Sequence, residues 1–245
     1  LHGHPYSSGS EGDMRAAIFI DGAYLQKQMQ NARVNPKYAD LAKYLLEPLR
    51  DQNPVDLLRC YFYHCPPWMS ATPTPDETRR MEVHDVFASE LEGLSRWQLR
   101  LGKLERRRDG EREYFEQKRV DVLLSCDLVR HSAAGHIQHA ILVAGDSDLI
   151  PAVRAAQESG VTLTLWCGSE NTVHKDLKKI SDDVHEINWK KFPSAKTTSR
   201  RKKKNQKQAS KEPEKAPNEK PAKQNSKSSA KSRRPRRKSS KKKSS

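Results

Sequence analysis

Two apolar runs that finish in aspartate constrain this chain more than any other feature. Ala16-Ala17-Ile18-Phe19-Ile20 closes on Asp21, and Ala140-Ile141-Leu142-Val143-Ala144 is followed, across Gly145, by Asp146 and Asp148. Uninterrupted apolar runs of this length read as strands covered on both faces, the situation of a parallel sheet between helices. Open sheets of that kind place their ligands at the carboxyl ends of the strands. A fourth acid, Asp121, opens an amphipathic stretch between the two runs. Several carboxylates meeting at one sheet edge repel one another unless a hard divalent cation holds them, and that outlines a metal-dependent phosphodiesterase site.

The rest of the chain alternates strand and helix, which predicts an α/β fold with a mostly parallel sheet. The first strand is expected over 15–20, with helices near 23–32 and 38–51, the second stopped by Pro54. The aromatic-rich run 57–63 predicts another strand, and a long helix is expected from Asp76 to about Gly93. Trp97 to Leu104 alternates apolar and polar residues as a half-exposed strand does, and Asp109-Gly110 signals a hairpin across Arg106 to Phe115. A helix over 118–133, a strand over 139–145, a helix over 149–159, a strand over 161–166, a helix over 171–180 and a short strand over 184–187 complete the expectation.

Charge divides the chain. Of 46 Lys+Arg and 31 Asp+Glu, 21 and 3 lie from Ser194 onward, which leaves 25 and 28 in residues 1–193. The basicity is therefore an appended tail on a nearly neutral body, a pattern that points to nucleic acid or another polyanion as partner. The tail lacks Val, Ile, Leu, Met, Phe, Trp, Tyr and Cys, so it has no apolar surface to offset chain entropy and is expected to be disordered over 194–245. Residues 1–13, polar and rich in Gly, Ser and His, are expected to be a disordered extension, upstream or vector-derived. Residues 14–193 suit one domain.

Cys60, Cys65, Cys126 and Cys167 show neither a disulfide framework nor zinc-ligand spacing. Cys60, His64 and Cys65 admit a metal-site reading beside the plainer one of buried free thiols. No apolar stretch approaches the ~20 residues of a membrane span, and a reducing cytosol is the expected compartment. Arg233-Arg234-Pro235-Arg236-Arg237-Lys238 also reads as a nuclear address in a eukaryotic source.

The acids carry plainer readings too. Asp21 suits a turn or helix cap, and either Asp146 or Asp148 suits the cap of the following helix. Two acids flanking one serine are more than a cap requires. Asp121 suits the positive end of its helix dipole. Asp127, six residues on and about 240° around the helix, is expected to face elsewhere as a structural or supporting group, whereas Ser125 shares the Asp121 face. A haloacid-dehalogenase phosphatase needs an acid where Ala23 stands, and a Gly-Asp-Ser lipase reading lacks a histidine motif for Ser147. An acid-x-acid glycosyltransferase lacks any nucleotide-sugar signature.

Ile18-Phe19-Ile20-Asp21-Gly22, Gln117-Lys118-Arg119-Val120-Asp121-Val122, Leu142 through Leu149, and Leu177 through Asp182 stand in an order that resembles the NYN branch of the PIN-like nucleases, closest to its LabA-like members. The resemblance covers about residues 14–190. It implies a Rossmann-like sheet between helices, an acidic pocket for Mg²⁺ or Mn²⁺, and RNA as substrate. Asp21, Asp121, Asp146 and Asp148 would form the catalytic, metal-holding cluster, with Asp21 and Asp146 as direct ligands. A non-catalytic RNA-binding module on the same fold is the alternative. The chain departs from the family pattern at Ala23-Tyr24, where an asparagine is frequent, and at Arg119, where glycine is usual.

Overall fold

The computed structural model describes residues 13–110, 112–169 and 172–193. The expected N-terminal extension, apart from Asp13, and the basic tail lie outside the described residues.

Among the described residues, eight strands and six α-helices follow one another as β1 (Met14–Asp21), α1 (Gly22–Ala32), α2 (Tyr38–Arg50), β2 (Val55–His64), α3 (Pro75–Glu92), β3 (Trp97–Leu101), β4 (Lys103–Asp109), β5 (Arg112–Lys118), α4 (Val120–Ala133), β6 (His139–Val143), α5 (Ile150–Glu158), β7 (Thr162–Cys167), α6 (Lys175–Ile180) and β8 (Asp183–Glu186). Six of the strands form one sheet in the order β3-β2-β1-β6-β7-β8, and every neighbouring pair in it is parallel. With the β4–β5 hairpin set aside, this is the 3-2-1-4-5-6 order of the Rossmann arrangement.

The pleat sorts the apolar runs between two cores. Ala17 and Phe19 face a cluster with Leu124 and Leu128 of α4 and Ala152 and Val153 of α5. Ile18 and Ile20 face the opposite cluster, with Leu25 of α1, Leu41 and Leu45 of α2, and Leu91 of α3. Successive side chains of one strand enter opposite layers, so the unbroken run in β1 is what a sheet with helices on both sides demands.

Helix α3 starts where its sequence dictates. Thr74 Oγ1 accepts from Glu77 N–H, and the Glu77 carboxylate accepts from Thr74 N–H, a reciprocal cap. Helix α2 ends at Arg50, ahead of the expected Pro54 stop, and contains Pro48 in its last turn. The expected strand over Trp97–Leu104 is broken at Gly102. A Cβ there would lie 2.6 Å from Lys118 O and 2.8 Å from Val120 Cγ2, so the chain turns tightly between β3 in the main sheet and β4 in the hairpin. The expected helix over 171–180 is shorter, running from Lys175, with residue 171 outside the described residues. Among the described residues no helix is long and apolar enough to cross a membrane.

Candidate active site

The strand order reverses between β1 and β6, and the sequence-predicted acids gather at the carboxyl end of that junction. Ile20 pairs with Val143, so Asp21 leaves β1 one residue later and Asp146 follows β6 by three. The backbone delivers both acids tightly. A Cβ on Gly22 would lie 2.5 Å from Phe62 Cε1 and 2.6 Å from Tyr63 O. One on Gly145 would lie 2.5 Å from both Thr172 O and Tyr24 Cε2. Since a carbonyl on an anchored turn does not move aside, Gly145→Ala is expected to destabilise the protein by about 1–3 kcal/mol, measurable as a lower denaturation midpoint in urea.

Asp21 and Asp146 also cap the helical turns that follow them. Asp21 Oδ1 accepts from Ala23 N–H at 3.0 Å and Tyr24 N–H at 3.1 Å. Asp146 Oδ1 accepts from Asp148 N–H at 3.0 Å, opening a 3₁₀ turn over Ser147–Leu149. Capping and placement at the strand ends thus coincide in the same residues. Asp121 occupies the first turn of α4, and Asp148 is exposed beside Asp146.

These acids share one electrostatic field. Burial raises the Asp21 carboxyl to about 6, with the charges of Asp121 and Asp146 adding to the rise and the two backbone N–H groups opposing it. Asp121 is raised by desolvation and then by the charges of Asp146 and Asp148. The structure therefore brings Asp21 within electrostatic reach of Asp121 and Asp146, and Asp121 within reach of Asp146 and Asp148. They are not closed upon a common point: among the described residues, no three Asp, Glu, His or Cys side chains are placed to hold one metal ion.

An open cleft of about 570 Å³ lies beyond the carboxyl ends of β1 and β6, walled by Asp21, Tyr24, Lys27, Asp146, Thr172 and His174. Tyr24 forms its back. Its hydroxyl accepts from Gly168 N–H at 2.9 Å and lies 3.1 Å from Thr172 Oγ1. So the residue standing near the frequent asparagine position serves as a strut between α1 and the loop after β7. Sequence reasoning missed Lys27, Thr172 and His174. For Lys27 a signal existed, since it lies six residues after Asp21 on the helix that this acid caps.

Asp127 sits away from the cleft in a buried polar network. Its Oδ2 accepts from Tyr63 O–H at 3.1 Å and Arg100 Nε–H at 3.0 Å, and its Oδ1 from Arg130 at 3.0 Å. The network ties α4 to β2 and β3. Removing the carboxylate in Asp127→Ala strands two arginines and a buried phenol, so a loss of about 3 kcal/mol in unfolding free energy is expected. The metal-site reading of Cys60, His64 and Cys65 fails on geometry, because Cys60 and Cys65 belong to opposite cores. Arg119 adopts φ 75°, ψ −11°, the left-handed region that favours glycine. Its departure from the family pattern therefore leaves backbone strain one residue before α4.

Fold and cleft define a Rossmann-like α/β protein with an acidic site at its topological switch point. The profile of the NYN domain matches residues 15–188, and the chain belongs to that family, part of the PIN-like nuclease superfamily, whose members are generally nucleases. Among solved structures it is similar to a protein of unknown function from Vibrio parahaemolyticus, at 18% identity and a TM-score of 0.46, covering 74% of this chain and 97% of that one. It is also similar to MurG of Acinetobacter baumannii, at 12% identity and a TM-score of 0.33, over 76% of this chain and 44% of that one. No curated protein matches the chain.

Proposed function

We propose that this protein is a Mg²⁺- or Mn²⁺-dependent ribonuclease that hydrolyses phosphodiester bonds in the cleft beyond the carboxyl ends of β1 and β6. The observation that carries the reading is the convergence of Asp21, Asp121, Asp146 and Asp148 in one field at the switch point of the sheet.

The donor set fits a hard divalent ion, since it is all carboxylate oxygen and carries uncompensated negative charge. Mg²⁺ is commonly held by one or two carboxylates together with waters and substrate phosphates, so a site not closed by three side chains suits it. Asp21 and Asp146 are the proposed direct ligands, with Asp121 and Asp148 acting through water or at a second ion. A divalent ion held there would supply Lewis-acid chemistry for phosphodiester hydrolysis.

The chain's own residues supply position and charge. Lys27, which lines the same cleft as Asp146, offers an ammonium to a substrate phosphate. Tyr24, fixed by Gly168 and Thr172, holds the wall against which the backbone lies. The basic tail adds sequence-blind attraction, each engaged Lys or Arg steepening the log–log salt dependence by ~0.7 on a single strand. Its lack of aromatic residues leaves base stacking to the folded part. Four unpaired cysteines accord with a reducing cytosol.

Cleavage of a labelled single-stranded RNA with Mn²⁺, against the same sequence as DNA and against chelator, tests the proposal. RNA-selective cutting abolished by chelator is the expected result, and no cutting of either strand overturns it. The unclosed carboxylates also favour a second reading, a non-catalytic RNA-binding module. A Mn²⁺ titration of the melting temperature separates the two, because an ion that binds the native state raises it with concentration and a dead site leaves it flat.

A further inference from the structure

The β4–β5 hairpin is not used by the fold's main sheet, and it carries exposed aromatic surface. Its two strands pair antiparallel, with Arg106 opposite Phe115 and Arg107 opposite Tyr114. Phe115 is 48% and Tyr114 51% exposed. On the Arg106–Phe115 face the hairpin meets Trp68, from the loop after β2. The Trp68 and Phe115 rings stand 5.8 Å apart between centroids and 44° to one another, and the Arg106 guanidinium lies 5.1 Å from the Trp68 ring centroid. Trp68 and Arg106 line an open cleft of about 620 Å³ with Pro66, Pro67, Met69 and Leu104, and Phe115 packs against the Trp68 ring beside it.

We propose that this cleft is a stacking platform for a base of single-stranded nucleic acid, seating a nucleotide that flanks the phosphate held at the acidic site. The inference rests on the nuclease reading and names the surface that holds its substrate. Position supports it first. Pro66 follows the end of β2 and Lys103 the end of β3, so the cleft opens at the carboxyl edge of the sheet where Asp21 lies, and Asp21 pairs with Tyr63 of β2. Strand β5 then runs through Arg119 directly into the helix bearing Asp121. Cys65, directly before Pro66, is buried behind the cleft, its Sγ 3.1 Å from where a Cβ on Gly102 would stand.

Chemistry supports it second. An indole and a guanidinium plane lining one cleft, with an exposed phenyl ring packed beside the indole, offer flat faces to any base. The hairpin's cations are largely neutralised in place: Arg106 and Arg108 pair with Glu113, Arg107 with Glu105 and Glu116, and Lys118 with Glu116. A surface with its charges balanced gains little from phosphates, so its affinity comes from stacking and is insensitive to salt. The Lys/Arg-rich tail has the converse signature, strong salt dependence with no preference for bases.

The experiment measures binding of the full chain, with chelator present, to a labelled oligouridylate and to an abasic strand of equal phosphate count, at high salt. Wild type is expected to prefer the strand with bases, and that preference should fall about 10-fold or more in Trp68→Ala/Phe115→Ala, with abasic binding unchanged. Intrinsic fluorescence should be quenched by oligouridylate in wild type and not in Trp68→Phe, which keeps an aromatic ring and the packing around it. Equal binding of both strands by wild type, or quenching that persists in Trp68→Phe, overturns the platform. Those outcomes leave the nuclease reading intact, because cleavage with Mn²⁺ is scored separately. An absence of cleavage in wild type that still shows base preference and Trp68 quenching would overturn the nuclease and keep the platform.

Discussion

Asp146→Asn should lower the rate of Mn²⁺-dependent RNA cleavage by about 100-fold or more while leaving the protein as stable as before. The change removes one negative charge and almost no volume. Asparagine is as good a cap as aspartate, so its side-chain oxygen can still accept from Asp148 N–H, the bond that starts the 3₁₀ turn. Asp146 is exposed, and substitutions at exposed sites that preserve a cap stay within about 0.5 kcal/mol. Losing one preorganised electrostatic contact to the reacting centre typically costs 10²–10³ in rate. A variant that melts with wild type and cuts at wild-type rate would remove Asp146 from the mechanism. One that unfolds, with the cap preserved, would show that the carboxylate charge serves the fold rather than the reaction.

Asp21→Asn, by contrast, is expected to change stability, melting above wild type in metal-free buffer at pH 7. Burial and neighbouring acids raise the Asp21 carboxyl from 3.8 to about 6. A carboxyl raised on folding binds its proton more tightly in the native state. Ionisation therefore penalises the fold, with the penalty absent below pH 3.8, growing as pH rises, and complete above about 6. A shift of this size corresponds to roughly 3 kcal/mol. Weaker acceptance by the asparagine from Ala23 and Tyr24 N–H returns about 1 kcal/mol. A net gain of about 1–2 kcal/mol, or about 2–8 °C in Tm for a domain of this size, is expected at pH 7 and none at pH 4.

His64 works against Asp21 over a similar range. Burial, and then the neighbouring His84, lower it to about 4, so its contribution is present above 6.5 and is lost as pH falls toward 4. The stability of wild type alone mixes the two effects. Only the difference between wild type and Asp21→Asn at each pH isolates the aspartate. Scanning calorimetry from pH 4 to 7.5 with chelator would measure it, and a variant that melts below wild type at pH 7 would contradict the assigned environment of Asp21.

The same residues show how far the sequence could be read. β1 and β6 were legible because strands buried on both faces cannot tolerate polar residues, and the acids were legible because they interrupt those runs. The hairpin was legible from Asp109-Gly110, and α4 from its apolar spacing. Sheet order was not, since nothing local to β1 records that β2 and β6 flank it. The break at Gly102 depends on Lys118 and Val120, and the back wall of the cleft depends on Tyr24 meeting Thr172 across 148 residues of sequence. Asp127 could be turned away from Asp121 by helical geometry alone. Its partners Tyr63 and Arg100 come from two other strands and appear only once the sheet is assembled.

The measurement that bears most directly on the account is cleavage of a labelled single-stranded RNA with Mn²⁺, by wild type and by Asp21→Asn/Asp146→Asn, with binding followed in parallel. Cleavage by wild type that vanishes in the variant while RNA binding persists is the predicted result, and it would locate a metal-dependent nuclease at the junction of β1 and β6. Equal cleavage by both proteins, or none by either with binding intact, would contradict it.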